Sequence, residues 1–272
     1  MIVDECHHVS SVSFEQVLKQ VNAHYVYGLT ATPIRKDGHQ PIIFMQCGKI
    51  RYTADAKSQM DRQGFVRILI PRFTSFRNVS PDTKTYTQTI EALSTDKVRN
   101  NLIIEDVKTV IAEGRTPIIL TNLTSHVRIL TELLQPHAMH VVSLVGADSA
   151  KEKNMAMEKL DKIADSDSLV IIATGKYIGE GFDYPRLDTL FLALPISWKG
   201  NIAQYAGRLH RDYDGKNEVR IYDYVDIRVP LCDSMYRKRL RGYASVGYGV
   251  PKPTGGNNVS KPVSYTHLRA HE

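Results

Sequence analysis

Four short stretches hold residue types that could do chemistry together. The first is Asp4-Glu5-Cys6-His7, two adjacent carboxylates directly after the apolar run Met1-Ile2-Val3. At the C-terminal tip of a parallel strand, both carboxylates can reach the crevice where such sheets bind ligands. An Asp there can hold Mg²⁺, directly or through water, and the following Glu can orient and deprotonate an attacking water. The plain alternative is a solvated strand end. The second is Leu29-Thr30-Ala31-Thr32-Pro33, in which two hydroxyls flank a small residue. They can bridge one site to another by hydrogen bonds, or simply stabilise a strand-exit turn.

The third stretch runs from Ala173 to Asp183 after a buried apolar run. Gly175, Gly179 and Gly181 let the backbone approach a ligand closely. Thr174 and Asp183 supply polar groups for a phosphate or ribose; the alternative is an ordinary turn. The fourth is Gln204-Tyr205-Ala206-Gly207-Arg208-Leu209-His210-Arg211. Read as a helix, it puts Gln204, Arg208 and Arg211 on one face, with Ile202, Ala206 and Leu209 opposite. One amide and two guanidiniums in a row suit a polyphosphate, because Arg makes forked contacts with phosphate oxygens. A solvated basic face is the alternative.

The elements that must position these residues alternate along the chain. Ser13 and Gln16 form a capping box before the helical spacing of Phe14, Val17, Leu18 and Val21. Short strands are expected at Tyr25 to Leu29, Pro41 to Met45 and Arg67 to Pro71, with a short helix from Ala54 to Arg62. Residues 72–96 are polar and turn-rich. Thereafter helical stripes (Leu102 to Ile111, Leu123 to Leu134, Ala156 to Ile163) alternate with strands at Pro117 to Thr121, His140 to Val145, Leu169 to Ala173, Leu190 to Leu194 and Val219 to Tyr224. Strands buried on both faces and alternating with helices predict parallel sheets in an α/β fold.

Composition bounds the rest. The 272 residues carry a net charge of +6, with 42% hydrophobic and 24% charged residues, which excludes wholesale disorder. No apolar run is long enough to span a membrane. Cys6, Cys47 and Cys232 are odd in number and far apart in sequence, which argues against a disulfide framework and points to a cytoplasmic setting. The basic balance permits a nucleic-acid partner without requiring one.

Asp-Glu-Cys-His, then Thr-Ala-Thr, then Glu-Gly-Phe-Asp, then Gln-x-x-Gly-Arg-x-x-Arg is the order of motifs II, III, V and VI in superfamily 2 helicases. The chain resembles the DEAD/DEAH-type members, nearest the branch of type III restriction translocases and excision-repair helicases, including helicases of conflict systems. The resemblance covers residues 1 to about 245. It implies two RecA-like domains with ATP and Mg²⁺ between them and a strand of DNA, or alternatively RNA, across both. By position, Asp4 would hold Mg²⁺ and Glu5 would activate water. His7, Thr30 and Thr32 would couple the ATP site to the nucleic-acid track. Gly181, Asp183 and Gly207 would lie at the nucleotide. Gln204, Arg208 and Arg211 would approach the γ-phosphate, with Arg211 as the arginine finger. Thr121, Ser125 and Thr174 would touch nucleic acid.

The resemblance has one clear departure. The family's P-loop, Gly-x-x-x-x-Gly-Lys-Ser/Thr, occurs nowhere in these residues. The expected organisation is therefore a remnant of the first RecA-like domain over 1–72, whose upstream half is missing, an interdomain linker over 73–96, and a complete second domain over 97–228. A basic helix over 229–249 and a linker over 250–262 follow. Residues 263–272 resemble the translation of a sequencing adaptor and are expected to be a scar. The fragment alone is expected to be an inactive part of an ATP-dependent helicase. The rival readings are a nucleic-acid-binding fragment with no ATPase activity and an unrelated Rossmann-like enzyme such as a sugar-nucleotide transferase.

Overall fold

The computed structural model describes residues 1–4, 6, 16–17, 20–30, 40–53, 64–77, 85–146, 149–179, 182–196 and 199–249. The expected helix at Ala54 to Arg62, the capping box at Ser13, and the expected linker and scar at 250–272 lie outside them.

The opening residues build a two-stranded parallel sheet from β1 (Ile2–Val3) and β2 (Tyr27–Gly28). Helix α1 (Gln40–Cys47) belongs with it: Val3, Cys6 and Ile43 form a small buried cluster with Val26 and Cys47 beside it. Pro41 to Met45 was expected as a strand. It is helical: a short apolar run suits either element, and this one packs Ile43 and Cys47, four residues apart, beside Val3 and Cys6.

The rest of the described chain is organised around a six-stranded parallel sheet in the order β3-β8-β7-β4-β6-β5. The strands are β3 (Val66–Phe73), β4 (Pro117–Thr121), β5 (His140–Leu144), β6 (Leu169–Thr174), β7 (Thr189–Leu192) and β8 (Glu218–Val225). Helices α2 (Tyr86–Thr95), α3 (Lys97–Ala112), α4 (Thr124–Leu134), α5 (Ala150–Asp161), α6 (Gly175–Gly179), α7 (Lys199–Leu209) and α8 (Pro230–Ser245) connect or follow them.

Alternation along the strands sorts the core into two layers. Ile119, Val170, Ile172, Phe191, Tyr222 and Tyr224 pack against α3 and α4 through Val107, Val110, Val127 and Leu130. Ile118, Leu120, Ile171, Ala173, Leu190, Leu192 and Ile221 pack on the other side with Leu160, Tyr205, Ala206, Leu209 and Tyr243. The central strands are covered on both faces, which is why they read as unbroken apolar runs.

The sheet corrects two sequence expectations. The boundary at residue 72 falls inside it: β3 pairs with β8 from Val66–Glu218 to Phe73–Val225. A parallel edge strand can join any sheet whose edge is open, and nothing local in 66–73 reveals which. The stretch 72–96 also holds α2, closed at its start by a reciprocal cap between Thr85 and Gln88. Its Ile90 and Leu93 pack with Leu194, Val229 and Cys232, so this helix is part of the core.

The basic C-terminal helix is present as α8, but it is not solvated all round. Cys232, Met235, Tyr236, Arg239 and Tyr243 are buried, while Arg237, Lys238 and Arg241 face outward.

Candidate functional site

The first strand pair places Asp4 and Thr30 at one end. Leu29 N–H donates to Val3 O and Cys6 N–H donates to Leu29 O, both at 2.9 Å. The turn after β1 and the exit from β2 are thus stitched together at the C-terminal ends of both strands, where parallel sheets present ligand-binding groups. Asp4 is exposed there. Gly28 is required beneath it, because a Cβ would come within 2.8 Å of Cys6 Sγ and 3.0 Å of Cys47 Cβ. Glu5, His7 and Thr32 lie outside the described residues.

Helix α7 carries the amide and arginine row. Ala206 and Leu209 are fully buried and Tyr205 nearly so, while Gln204 and Arg208 are half-buried and Gly207 is exposed. The helix ends at Leu209, so Arg211 is not on its face as the periodicity predicts. It lies two residues beyond, where its Nε donates to Asp183 Oδ1 at 3.0 Å. Two residues expected at one site from separate motifs therefore meet directly. Gly181 lies outside the described residues. Arg208 Nε is buried without a hydrogen-bond partner among the described residues. A guanidinium N–H left so is costly unless a ligand oxygen or water meets it, so the arginine end of this helix fits an anionic group.

Two companions set the position of this edge. Tyr205 stands so close to Gly175 that a methyl group on Gly175 would collide with the Tyr205 hydroxyl, which ties α7 to the start of α6. Lys216 Nζ donates to three backbone carbonyls, those of Leu209 at 3.2 Å, Arg211 at 2.8 Å and Pro185. Sequence reasoning missed both relations. The local signal that could have pointed to the second is Gly215, whose φ of +77° turns the chain back toward α7.

Two of the expected nucleic-acid contacts are committed elsewhere. Thr121 is 2% exposed. A chain of hydrogen bonds fixes its proton: Asn100 Nδ2 donates to Ser94 O, which leaves Asn100 Oδ1 to accept from His126 Nε2. His126 Nδ1 then accepts from the Thr121 hydroxyl at 2.9 Å. Burial, with the positive Arg99 nearby, lowers the His126 pKa to about 3, so the ring is neutral as this chain requires. Thr174 Oγ1 accepts from Gly146 N–H at 2.8 Å and is also buried. Both threonines hold loops. Ser125 is exposed in the first turn of α4, and Asn122 and Thr124 are exposed beside it.

Two buried arginines grip the connection from β7 to α7. Arg99 donates from Nη1 to Ala193 O and from Nε to Asp226 Oδ1 at 3.1 Å. Arg239 donates from Nη1 to Ile196 O and makes a forked pair with Asp223 at 2.8 and 2.9 Å. The Tyr243 hydroxyl donates to the same carboxylate. The acidic partners both lie at the end of β8 or just past it, so one strand anchors the segment leading into the arginine helix.

A family model described as "Type III restriction enzyme, res subunit" matches residues 1–35. The chain is 26% identical over 254 residues to "Putative helicase 161L" of Invertebrate iridescent virus 6, covering 91% of this chain and 55% of that protein. Its structure is similar to that of T4 UvsW, with a TM-score of 0.54 and 18% identity, covering 92% of this chain and 53% of the other. It is also similar to S. cerevisiae Dbp5, solved bound to RNA and ADP BeF3, with a TM-score of 0.58 and 12% identity, covering 90% and 56%. The chain spans about half the length of the curated relatives it matches.

Proposed function

We propose that this chain, which resembles the superfamily 2 helicases and matches a type III restriction subunit over residues 1–35, is the arginine-bearing part of an ATP-driven motor moving on DNA. The observation that carries this reading is the meeting of Asp183 with Arg211 just past a helix whose Arg208 has a buried Nε with no hydrogen-bond partner among the described residues.

The proposed roles follow from side-chain chemistry. Asp4, at the tip of β1, would hold Mg²⁺, and Glu5 beside it would take a proton from water. Arg208 and Arg211 would neutralise charge on a terminal phosphate, and Gln204 would orient groups there by its amide. ATP, when bound, supplies the phosphoanhydride whose cleavage drives domain movement. Thr30 would link that site to the nucleic-acid track. Exposed Ser125, with Asn122 and Thr124, would meet the phosphodiester backbone at the start of α4, where backbone N–H groups point outward.

No segment of these 272 residues supplies the Gly-rich cradle and lysine that hold the β- and γ-phosphates. Positioning and electrostatics are nearly all of phosphoryl-transfer catalysis, so this chain by itself is expected not to turn over ATP. The test compares this chain with a longer protein in which a P-loop-bearing helicase segment precedes it, each with saturating single-stranded DNA or RNA. The longer protein should hydrolyse ATP at about 1–100 per second, and Glu5→Gln in it should stop hydrolysis while ATP still binds. Nucleic-acid binding without hydrolysis by the longer protein would favour the non-catalytic reading instead.

A further inference from the structure

The arginine edge is closed by a ring of contacts that runs through one residue outside the four motifs. Arg211 reaches Asp183 through its side chain. Its own carbonyl accepts from Lys216 Nζ, and the same ammonium reaches the carbonyl of Pro185, two residues beyond Asp183. A third donation, to Leu209 O, caps the end of α7. All three N–H groups of the ammonium are thereby used on backbone oxygens, drawn from the two segments that carry Asp183 and Arg211.

We propose that Lys216 is the positioning residue of this edge, its charged amine setting where Arg211 stands relative to Asp183. This rests on the reading of Arg211 as a phosphate-facing arginine. A helix cap alone would need only the Leu209 carbonyl; the links to Pro185 and Arg211 join the two sides of the site. A neutral amine has two N–H groups and a lone pair, so on deprotonation one of the three carbonyls must lose its donor and face a lone pair instead.

The surroundings bring that event into an accessible pH range. Burial lowers the Lys216 pKa to about 8; Asp188, Asp212 and Asp183 oppose the shift, and Arg115 adds to it. The ring of Phe65 lies 5.9 Å from Nζ and covers another side. Arg67 and His210 lie in the same neighbourhood; His210, held neutral by burial and by the positive Arg67 and Lys216, carries no charge that would change near pH 8.

Two measurements test the proposal. In this chain, ¹³C NMR of the lysine ε-carbons should show Lys216 titrating near pH 8, and the Asp183 carboxylate carbon should move with the same midpoint. An ordinary lysine midpoint of about 10.4, or an Asp183 signal indifferent to Lys216, would overturn the proposal, and neither result depends on ATP hydrolysis. In the longer protein, Lys216→Met should lower ATP turnover by about 10²-fold, the scale of a 1 Å misplacement. Lys216→Arg keeps a charge that does not titrate, so it should retain part of the activity and lose the fall in turnover above pH 8. An alkaline fall unchanged in Lys216→Arg would also sink the idea. Should Lys216→Met fail to fold, the NMR titration and the Arg variant still decide.

Discussion

Arg211 Nε lies 3.0 Å from Asp183 Oδ1, with the two side chains 50% and 44% exposed. An ion pair so open to water contributes about 0–1 kcal/mol to stability, because solvent screens it and two long side chains must be held still. It is therefore poorly suited to holding the fold and well suited to exchange one partner for a phosphate. The same openness makes function and stability separable here. In the longer protein, Arg211→Ala should lower ATP turnover by about 10³ to 10⁵, the range seen when arginine fingers are removed. Its melting temperature should change by no more than a few degrees. Lys at this position should not rescue turnover, since it lacks the planar fork. Near-normal ATPase activity in Arg211→Ala would remove Arg211 from the site.

Gly175 is fixed by its neighbour rather than by its own backbone. A methyl group there would meet the hydroxyl of Tyr205, a side chain that is itself buried, at 7% exposure. Gly175→Ala should therefore destabilise by about 1–3 kcal/mol, as overpacking does. Removing the hydroxyl should recover most of that loss in the Gly175→Ala, Tyr205→Phe double variant. The check is a double-mutant cycle by urea unfolding. Additive losses would mean that the two residues do not press on each other.

The buried pair of Arg239 and Asp223 should behave in the opposite way to the Arg211 pair. Both side chains are 1% exposed, and the arginine also holds Ile196 O. Removing one partner leaves a charge buried without compensation, which costs about 3–5 kcal/mol. Arg239→Met should show such a loss by urea unfolding. Arg239→Met with Asp223→Leu should regain much of it, because the stranded charge is gone. The double variant should still turn over ATP more slowly in the longer protein, since the segment before α7 has lost its grip on Ile196.

Much of the six-stranded sheet could be read from the sequence. Pro117–Thr121 is found as expected, because a strand covered on both faces must be apolar throughout and Gly114 ends the helix before it. The arginine helix was legible from Ala206 and Leu209, but its end was not. The turn at His210 and Arg211 depends on Lys216 gathering carbonyls from three places, a relation with no local signature beyond the glycine before it. Arg239 looked like one cation among several on α8; what buries it is Asp223, on a strand 16 residues earlier. The family resemblance places Thr121 at the nucleic acid, yet its hydroxyl is taken by His126. Polar residues at strand ends serve loops and ligands alike, and only their partners tell the two apart. The cap at Thr85 and Gln88 did carry a readable signal for α2. The surrounding polar stretch concealed it, because half of that helix's residues are exposed and two of its four buried ones, Thr89 and Ser94, are polar.

The neutral His126 gives the last prediction, and its sign can be worked out. The folded chain holds His126 unprotonated down to about pH 3, first through burial and then through the charge of Arg99. An unfolded histidine takes up its proton near pH 6.5. Between these values the unfolded state binds a proton that the folded state refuses, so stability is full above pH 6.5 and falls as the pH drops toward 3. His210, lowered to about 4 by burial and then by Arg67 and Lys216, acts in the same direction. Each such histidine contributes a slope of about 1.4 kcal/mol per pH unit where only the unfolded state is protonated. Urea midpoints measured from pH 7 to pH 4 should fall, and His126→Gln, which cannot take up the proton, should lower stability at pH 7 but flatten the slope. A slope unchanged by His126→Gln would show that this ring is not the group refusing the proton, and that the hydrogen-bond chain from Ser94 to Thr121 is arranged otherwise.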